Sequence, residues 1–256
     1  MRYGVISDVH GNLHALEAAL DAVEAAGVDR LICPGDVVGY GPRPNECAAR
    51  IASLGALAVA GNHDLMALGE LPVEGLPRLQ RDTIEWTRAV IDDSTRDYLA
   101  RLPATVRTGE AVTIAHGSLD DPTEYVRDCT LGGVQLGRLV ERDPDARGLL
   151  LGHTHHPLAC ARTPLRDYGD VVALTDEPWL LNAGAVGQSR EPAPVARAGV
   201  IDLDRGEARL LALEYDVEAT RRELRDAGLA PHAVHLAPGR AARWRRRAWE
   251  LTHRPA

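Results

Sequence analysis

Metal-binding side chains occur in five short, widely spaced pieces of the chain, and almost every piece follows a short apolar run. The seven candidate ligands are Asp8, His10, Asp36, Asn62, His116, His153 and His155. A fold that brings strand ends together would gather these side chains into one pocket. Carboxylate oxygens beside imidazole nitrogens suit Mn, Fe or Zn better than Ca or Mg. The pattern therefore predicts a dinuclear metal hydrolase.

Two of the pieces hold paired candidates two positions apart, Asp8 with His10 and His153 with His155. In extended chain such side chains project to the same side, so Asp8 and His10 can grip one cation, and His153 and His155 are likewise expected to share a side. Asp36 follows a glycine, which allows the backbone to approach an ion closely. Because a carboxylate has two oxygens, Asp36 is the predicted bridge between two metals.

The tetrapeptide at residues 61–64, Gly-Asn-His-Asp, places a candidate catalytic group beside a candidate ligand. The Asn62 carbonyl can bind a metal, which leaves His63 free to point at substrate. Asp64 is available to hold the tautomer of that histidine. We therefore predict His63 and Asp64 as catalytic residues.

Apolar runs and helical spacings alternate along the first half of the chain. Short strands are expected at residues 3–7, 30–33, 56–60, 112–115 and 149–151, with helices at 13–23, 45–54 and within 76–102. Such alternation indicates an α/β fold with a largely parallel sheet. Further strands are expected at 171–175, 179–182, 198–203 and 208–214, which suggests a second sheet, before a helix at 217–227.

Length and charge limit the class of protein. The chain has 256 residues, and we expect one domain over residues 1–239 followed by an Arg-rich tail at 240–256. The formal net charge is −8, but the tail carries six Arg against one Glu, so residues 1–239 carry −13. An acidic body disfavours nucleic acid as a partner. Metal cations would be needed to attract a phosphate to the pocket.

Cellular location is inferred from the ends and the cysteines of the chain. A strand-like segment begins directly after Met1, which leaves no room for a signal sequence. No apolar run approaches the roughly 20 residues that span a bilayer. The four cysteines, at positions 33, 47, 129 and 160, form no CxxC pair. This usage favours a reducing compartment, so we expect a cytoplasmic protein with no membrane partner.

The order of the motifs resembles the calcineurin-like metallophosphoesterases, in particular the small bacterial phosphodiesterases of the YfcE type. The matching motifs are Asp-x-His at 8–10, Gly-Asp at 35–36, Gly-Asn-His-Asp at 61–64, His-Gly at 116–117 and Gly-His-x-His at 152–155. The similarity covers roughly residues 1–215. It extends to the segment at 182–187, where Ala183 and Ala185 replace the Pro and Ser usual in the family.

The resemblance implies a four-layer αββα sandwich with two mixed β-sheets. It also implies two metal sites, one formed by Asp8, His10, Asp36 and His155 and the other by Asp36, Asn62, His116 and His153. Mn is the expected metal, with Fe, Zn, Ni or Mg as alternatives. Two such ions would share a bridging water and convert it to hydroxide near neutral pH. This hydroxide is the expected nucleophile on small, nucleotide-like phosphodiesters or phosphomonoesters, with His63 as the catalytic histidine.

Four side chains are candidate substrate contacts. Tyr40 and Arg43 lie in the loop after Asp36, and Arg190 follows a turn near the end of the resemblance. Arg can hold phosphate with two hydrogen bonds, and Tyr can stack on a base or a sugar. Asn12 either lines the pocket or caps the first helix.

Several functions stay open at this point. A diadenosine-polyphosphate hydrolase, a protein phosphatase and a nuclease would use the same chemistry. The acidic body weakens the nuclease alternative. A metal-binding scaffold without turnover is the alternative from another class, and the intact motifs argue against it. Homo-oligomer formation is also open.

Overall fold

The computed structural model describes residues 1–161, 171–174 and 176–238, so the Arg-rich tail at 240–256 lies outside the described residues. The described helices are α1 (Leu13–Ala25), α2 (Pro44–Ser53), α3 (Asn62–Leu68), α4 (Arg78–Val90), α5 (Asp93–Ala100), α6 (Cys129–Arg142) and α7 (Val217–Asp226), with a 3-10 turn at Pro231–Val234. The described strands are β1 (Arg2–Val5), β2 (Arg30–Cys33), β3 (Leu57–Ala58), β4 (Val106–Arg107), β5 (Val112–Ile114), β6 (Gly148–Leu151), β7 (Leu158–Ala161), β8 (Val171–Ala173), β9 (Trp179–Asn182), β10 (Ala196–Asp202) and β11 (Glu207–Leu213).

The strands form two mixed sheets. One has the order β3-β2-β1-β10-β11-β8, in which β1, β2 and β3 run parallel and the other three pair antiparallel. The second has the order β4-β5-β6-β9-β7, in which β5, β6 and β9 run parallel. Each predicted ligand piece therefore follows a parallel strand, and the carboxyl ends of these strands share one edge of the molecule.

The core has four layers. Leu16 and Ile51 pack helices α1 and α2 against the outer face of the first sheet. The two sheets bury their inner faces against each other, with Trp179 almost fully covered between them. Leu136 and Leu139 pack α6 against the outer face of the second sheet. This arrangement confirms the predicted αββα sandwich with two mixed sheets.

The division of strands between the sheets differs from the expectation. Strands β8, β10 and β11 were expected to form a second sheet, but they extend the first sheet through antiparallel pairing of β10 with β1. The second sheet is instead built on β5 and β6, joined by β9. Residue 175, at the end of the predicted strand 171–175, lies outside the described residues.

A disulfide joins Cys129, the first residue of α6, to Cys160 in β7. The spacing of these cysteines carries no motif, and the expectation of a reducing compartment gave no reason to pair them. Cys33 and Cys47 are free and buried. Within the described part of the chain, no helix has the length and apolar character needed to cross a membrane.

Candidate metal centre

The structure brings all seven candidate ligands together, and each is buried. Ligand atoms of Asp8, His10, Asp36 and His155 lie within 4.8 Å of one another, and so do those of Asp36, His116 and His153. The Asn62 side-chain oxygen adjoins the second group, 3.1 Å from His116 Nε2. Asp36 thus belongs to both groups, which is the placement that a bridging ligand requires.

The first group is built from loops and not from extended strand ends. Asp8 and His10 have φ values of 54° and 50°, and His155 has a φ of 60°. The same holds for Asp36 and His153, at 54° and 66°. Left-handed backbone costs a residue other than glycine about 1–2 kcal/mol. The prediction that extended chain aligns each pair is therefore wrong, because both members of each pair are left-handed.

Backbone carbonyls fix which nitrogen each imidazole offers in the first group. His10 Nδ1 lies 3.2 Å from the Val38 carbonyl oxygen, and His155 Nδ1 lies 2.9 Å from that of Gln188. A carbonyl only accepts, so both Nδ1 atoms carry the proton. The two Nε2 atoms, 3.0 Å apart, then face each other with lone pairs. That arrangement is repulsive without a cation and favourable with one.

Backbone carbonyls also fix the tautomers of the histidines in the second group. His116 Nδ1 donates to the carbonyl oxygen of Pro34 at 2.6 Å, which leaves Nε2 facing the oxygens of Asn62 and Asp36. His153 Nε2 lies 3.1 Å from the Thr123 carbonyl oxygen, so Nδ1 is the nitrogen left for a ligand. The donor set therefore fits a second cation.

Asp36 joins the two groups through one atom. Its Oδ1 accepts the backbone N–H of His63 at 2.8 Å. Its Oδ2 is buried and has no hydrogen-bond partner in the described part of the protein, yet it lies 3.6 Å from His10 Nε2 and 3.3 Å from His116 Nε2. A buried carboxylate oxygen without a partner is costly. Cations on both sides would satisfy it.

The pKa values follow from burial and from these charges. Burial lowers the pKa of His10 and His155 well below the usual range and that of His153 to about 4, so their lone pairs are available. Burial also acts to lower the pKa of His116, but Asp36 and Asp8 outweigh it and raise this pKa to about 9. Asp36 and Asp8 thus favour a positive charge beside His116, which a bound cation would supply in place of a proton.

Glycines let the ligand loops approach closely. A Cβ at Gly61 would lie 2.1 Å from Asp36 Oδ1 and 2.3 Å from Asp36 N. A Cβ at Gly152 would lie 2.3 Å from Ser7 Oγ and 2.7 Å from Asp8 Oδ2. All four distances are far below van der Waals contact, so no larger residue fits at either position without moving the site.

His63 lies beside the ligands, on the first turn of α3. Its ring centroid is 4.6 Å from that of His10 and 4.6 Å from that of Tyr40. Burial lowers the pKa of His63 to about 4, so the ring is neutral. Its Nδ1 is buried without a partner among the described residues, and its Nε2 lies 3.0 Å from the side-chain nitrogen of Gln80 in α4.

The predicted pairing of Asp64 with His63 is wrong. The two oxygens of Asp64 accept the backbone N–H groups of Val38 and Gly61, each at 3.0 Å. Asp64 therefore ties the loop after β2 to the start of α3, which positions Asp36 against Gly61. Gln80, which lies within hydrogen-bonding distance of the His63 ring, carries no local motif that could have revealed it.

The four candidate substrate contacts divide into two kinds. Asn12 is fully buried; its side chain caps α1 by accepting from Ala15 N and donates to the Gly187 carbonyl oxygen, so the capping alternative holds. Arg43 is taken by carboxylates, at 2.8 Å from Glu223 and 3.0 Å from Glu46, which contradicts its prediction as a phosphate contact.

Tyr40 and Arg190 do lie at the site. Tyr40 is buried, and burial raises its pKa to about 12. Its ring packs against His10 at a centroid distance of 4.8 Å, so the ring supports a ligand side chain and has little free surface for stacking on substrate. Arg190 lines a cavity beside the centre, and its charge lowers the pKa of His155, after burial.

Comparison with known proteins finds a family match and similar sequences. The calcineurin-like phosphoesterase family model matches residues 1–184. The protein MJ0912 of Methanocaldococcus jannaschii is 31% identical over 222 residues, which cover 84% of this chain and 88% of that protein. A symmetrical bis(5'-nucleosyl)-tetraphosphatase of Psychromonas ingrahamii is 40% identical over 67 residues, 25% of this chain and 24% of that protein.

Solved structures share the whole architecture. A metallophosphoesterase from Sphaerobacter thermophilus superposes with a TM-score of 0.77 at 32% identity, over 91% of this chain and 96% of that chain. The protein PH1004 from Pyrococcus horikoshii OT3 shares the fold with a TM-score of 0.74 at 17% identity, over the same shares of the two chains. The calcineurin-like fold implies divalent metal ions and the hydrolysis of phosphoric esters. The chain belongs to the calcineurin-like phosphoesterase family.

Proposed function

We propose that the protein is a dinuclear metal-dependent phosphoesterase that hydrolyses small phosphodiesters or phosphomonoesters, nucleotide-like compounds in particular. The observation that carries the proposal is the position of Asp36 Oδ2. This buried oxygen lies between the imidazoles of two separate ligand groups and has no hydrogen-bond partner among the described residues. A mononuclear site would leave one of these groups without a cation.

The proposed ligand sets follow the two groups. The first metal is held by Asp8, His10, Asp36 and His155, and the second by Asp36, Asn62, His116 and His153. The bound cations would supply Lewis-acid charge to the phosphoryl oxygens and would lower the pKa of water, so that it can attack phosphorus. Mn is the proposed metal, since mixed oxygen and nitrogen donors suit it, with Fe, Zn, Ni or Mg as alternatives.

The protein's own contribution beyond the ligands is centred on His63. As a neutral ring it can donate one hydrogen bond to a phosphoryl oxygen in the transition state, which stabilises developing charge. A role as general acid loses its support, because no carboxylate of the described residues is hydrogen-bonded to the ring and burial lowers its pKa to about 4. Gln80 holds the ring in place through Nε2.

Small substrates are favoured over macromolecules. The acidic body repels nucleic acid, and the cavity beside the centre has a volume of about 350 Å³, which suits a small ester. A diadenosine-polyphosphate hydrolase stays the alternative within the family, supported by the partial match to a bis(5'-nucleosyl)-tetraphosphatase. Cytoplasmic location and the oligomeric state stay predictions from the sequence.

The test is a screen of phosphomonoesters, cyclic nucleotides and dinucleotides with Mn, Fe, Zn, Ni and Mg supplied in turn. A bis-aryl phosphodiester serves as the general substrate. We expect His63→Ala to retain both metals and to lose most turnover, because it touches substrate and not metal. His232→Ala, which removes an exposed histidine, is the matched control.

Two results would count against the proposal. Full activity of metal-loaded His63→Ala would remove the role of that histidine. Absence of hydrolysis by the Mn-loaded wild type across the whole panel would instead favour the metal-binding scaffold without turnover.

A further inference from the structure

A cavity next to the metal centre is lined by two arginines and, among the described residues, by no acidic side chain. Its described lining is Tyr125, Arg127, Thr154, His156, Pro157, Leu158 and Arg190. The wall at 154–158 continues directly from His153, so the cavity opens beside the second ligand group. In a chain with a net charge of −8, a cavity that brings two arginines together without a carboxylate is a place for an anion.

The two arginines have no carboxylate partner within 4 Å among the described residues. Other arginines on the same protein are paired: Arg43 lies 2.8 Å from Glu223, and Arg50 lies 3.0 Å from Glu17. Arg127 and Arg190 form no such ion pair in the described part of the chain. Their guanidinium groups therefore keep donors available for a ligand.

Each arginine contacts a residue that in turn contacts one of the candidate ligand histidines. The Arg127 guanidinium carbon lies 4.4 Å from the centroid of the Tyr125 ring, and that ring lies 4.0 Å from the ring of His153. Arg190 Nε donates to the side-chain oxygen of Gln188 at 3.3 Å, and Gln188 is fully buried and accepts from His155 through its backbone. Each guanidinium is thus coupled to one ligand group.

We propose that this cavity binds a second phosphate group of the substrate, so that the enzyme prefers esters carrying at least two phosphates over single-phosphate esters. The proposal rests on the phosphoesterase function proposed above. The planar guanidinium forks of Arg127 and Arg190 match a phosphate, which each can hold with two hydrogen bonds. The Tyr125 ring already contacts His153 and Arg127, so it orients an arginine instead of stacking on a base.

Binding provides a test that does not depend on turnover. Isothermal titration would compare methylphosphonate with methylenediphosphonate, neither of which contains an ester bond, on Mn-loaded protein. We expect the diphosphate analogue to bind about tenfold tighter to the wild type, and Arg127→Gln and Arg190→Gln each to remove most of this difference. Arg138→Gln, which removes an exposed arginine of α6 that pairs with Asp120, should keep it. Equal affinities for both ligands in the wild type would overturn the proposal.

Kinetics separate this proposal from the function on which it rests. Wild type that hydrolyses a bis-aryl phosphodiester but shows no preference in kcat/KM for an ester with two phosphates would overturn the second-phosphate site alone. Wild type that hydrolyses neither would overturn the proposed function, while the binding difference would still decide the site. Where both activities exist, Arg127→Gln should lower kcat/KM for the diphosphate ester about tenfold more than for the aryl diester. An equal loss on both substrates would also contradict the site.

Discussion

Removal of the disulfide between Cys129 and Cys160 should destabilise the protein by a calculable amount. The bond joins residues 31 apart in sequence and ties the start of α6 to β7. The loss of loop-closure entropy from the unfolded chain predicts a stabilisation of about 3.7 kcal/mol for a loop of this length. For a chain of this size that corresponds to a decrease in Tm of about 7–15 °C.

The assay combines thiol counting with unfolding. Because Cys33 and Cys47 are free, the denatured wild type should show two reactive thiols without reductant and four after reduction. Guanidinium unfolding of oxidised and reduced wild type isolates the bond without changing any side chain. The double variant Cys129→Ser with Cys160→Ser should not respond to reductant, which controls for effects elsewhere.

Two outcomes would refute this reasoning. Four reactive thiols in wild type that has never met reductant would show that the bond is absent. A free energy of unfolding that changes by less than about 1 kcal/mol on reduction would show that the bond does not restrict the unfolded chain as the loop-entropy argument requires. A bond that persists in cells would also contradict the predicted reducing compartment.

Three substitutions test how the site is positioned. Asp64→Ala should lower the free energy of unfolding by about 2–4 kcal/mol, since two buried backbone donors lose their acceptor. Chemical denaturation that shows no change would contradict the role of Asp64 in joining the two loops. Gln80→Leu should lower kcat about three- to tenfold at constant metal content, because His63 loses its contact, whereas a change in KM alone would contradict a positioning role. Gly61→Ala should lose metal as measured by elemental analysis, because its Cβ would overlap Asp36, and full metal occupancy would contradict the close approach.

Much of the scaffold follows from local pattern. The predicted bounds of β2 and β9 coincide with the observed strands, and the helical region predicted within 76–102 forms α4 and α5. The break between them falls at Asp92, whose side chain accepts from Thr95 N as a cap. Buried runs with turn residues at their ends are the features that local physics determines most strongly.

Helix α6 shows where local pattern is insufficient. It contains Gly132, Gly133 and Gly137, each of which lowers helix propensity, so no helix was predicted there. Packing of Leu136 and Leu139 on the second sheet supplies the stability that the sequence locally lacks. The same limit applies to the sheets, because the alternation within β10 does not indicate that its partner is β1.

The ligand types and their order were readable from the sequence, but their geometry was not. Apart from glycine, the described residues with positive φ are Asp8, His10, Asp36, Ala111, His153 and His155. Five of these six are candidate ligands, so left-handed backbone is concentrated at the site. Sequence patterns favour low-energy conformations, so a site built from strained ones lies beyond them. The tautomers likewise depend on carbonyls from distant loops.

The most direct test of the dinuclear centre is anomalous diffraction from crystals of Mn-loaded protein. We expect two anomalous peaks per chain, both within coordinating distance of Asp36, with His10 and His155 beside one and His116 and His153 beside the other. A single peak, or two peaks that do not share Asp36, would contradict a dinuclear centre bridged by this residue.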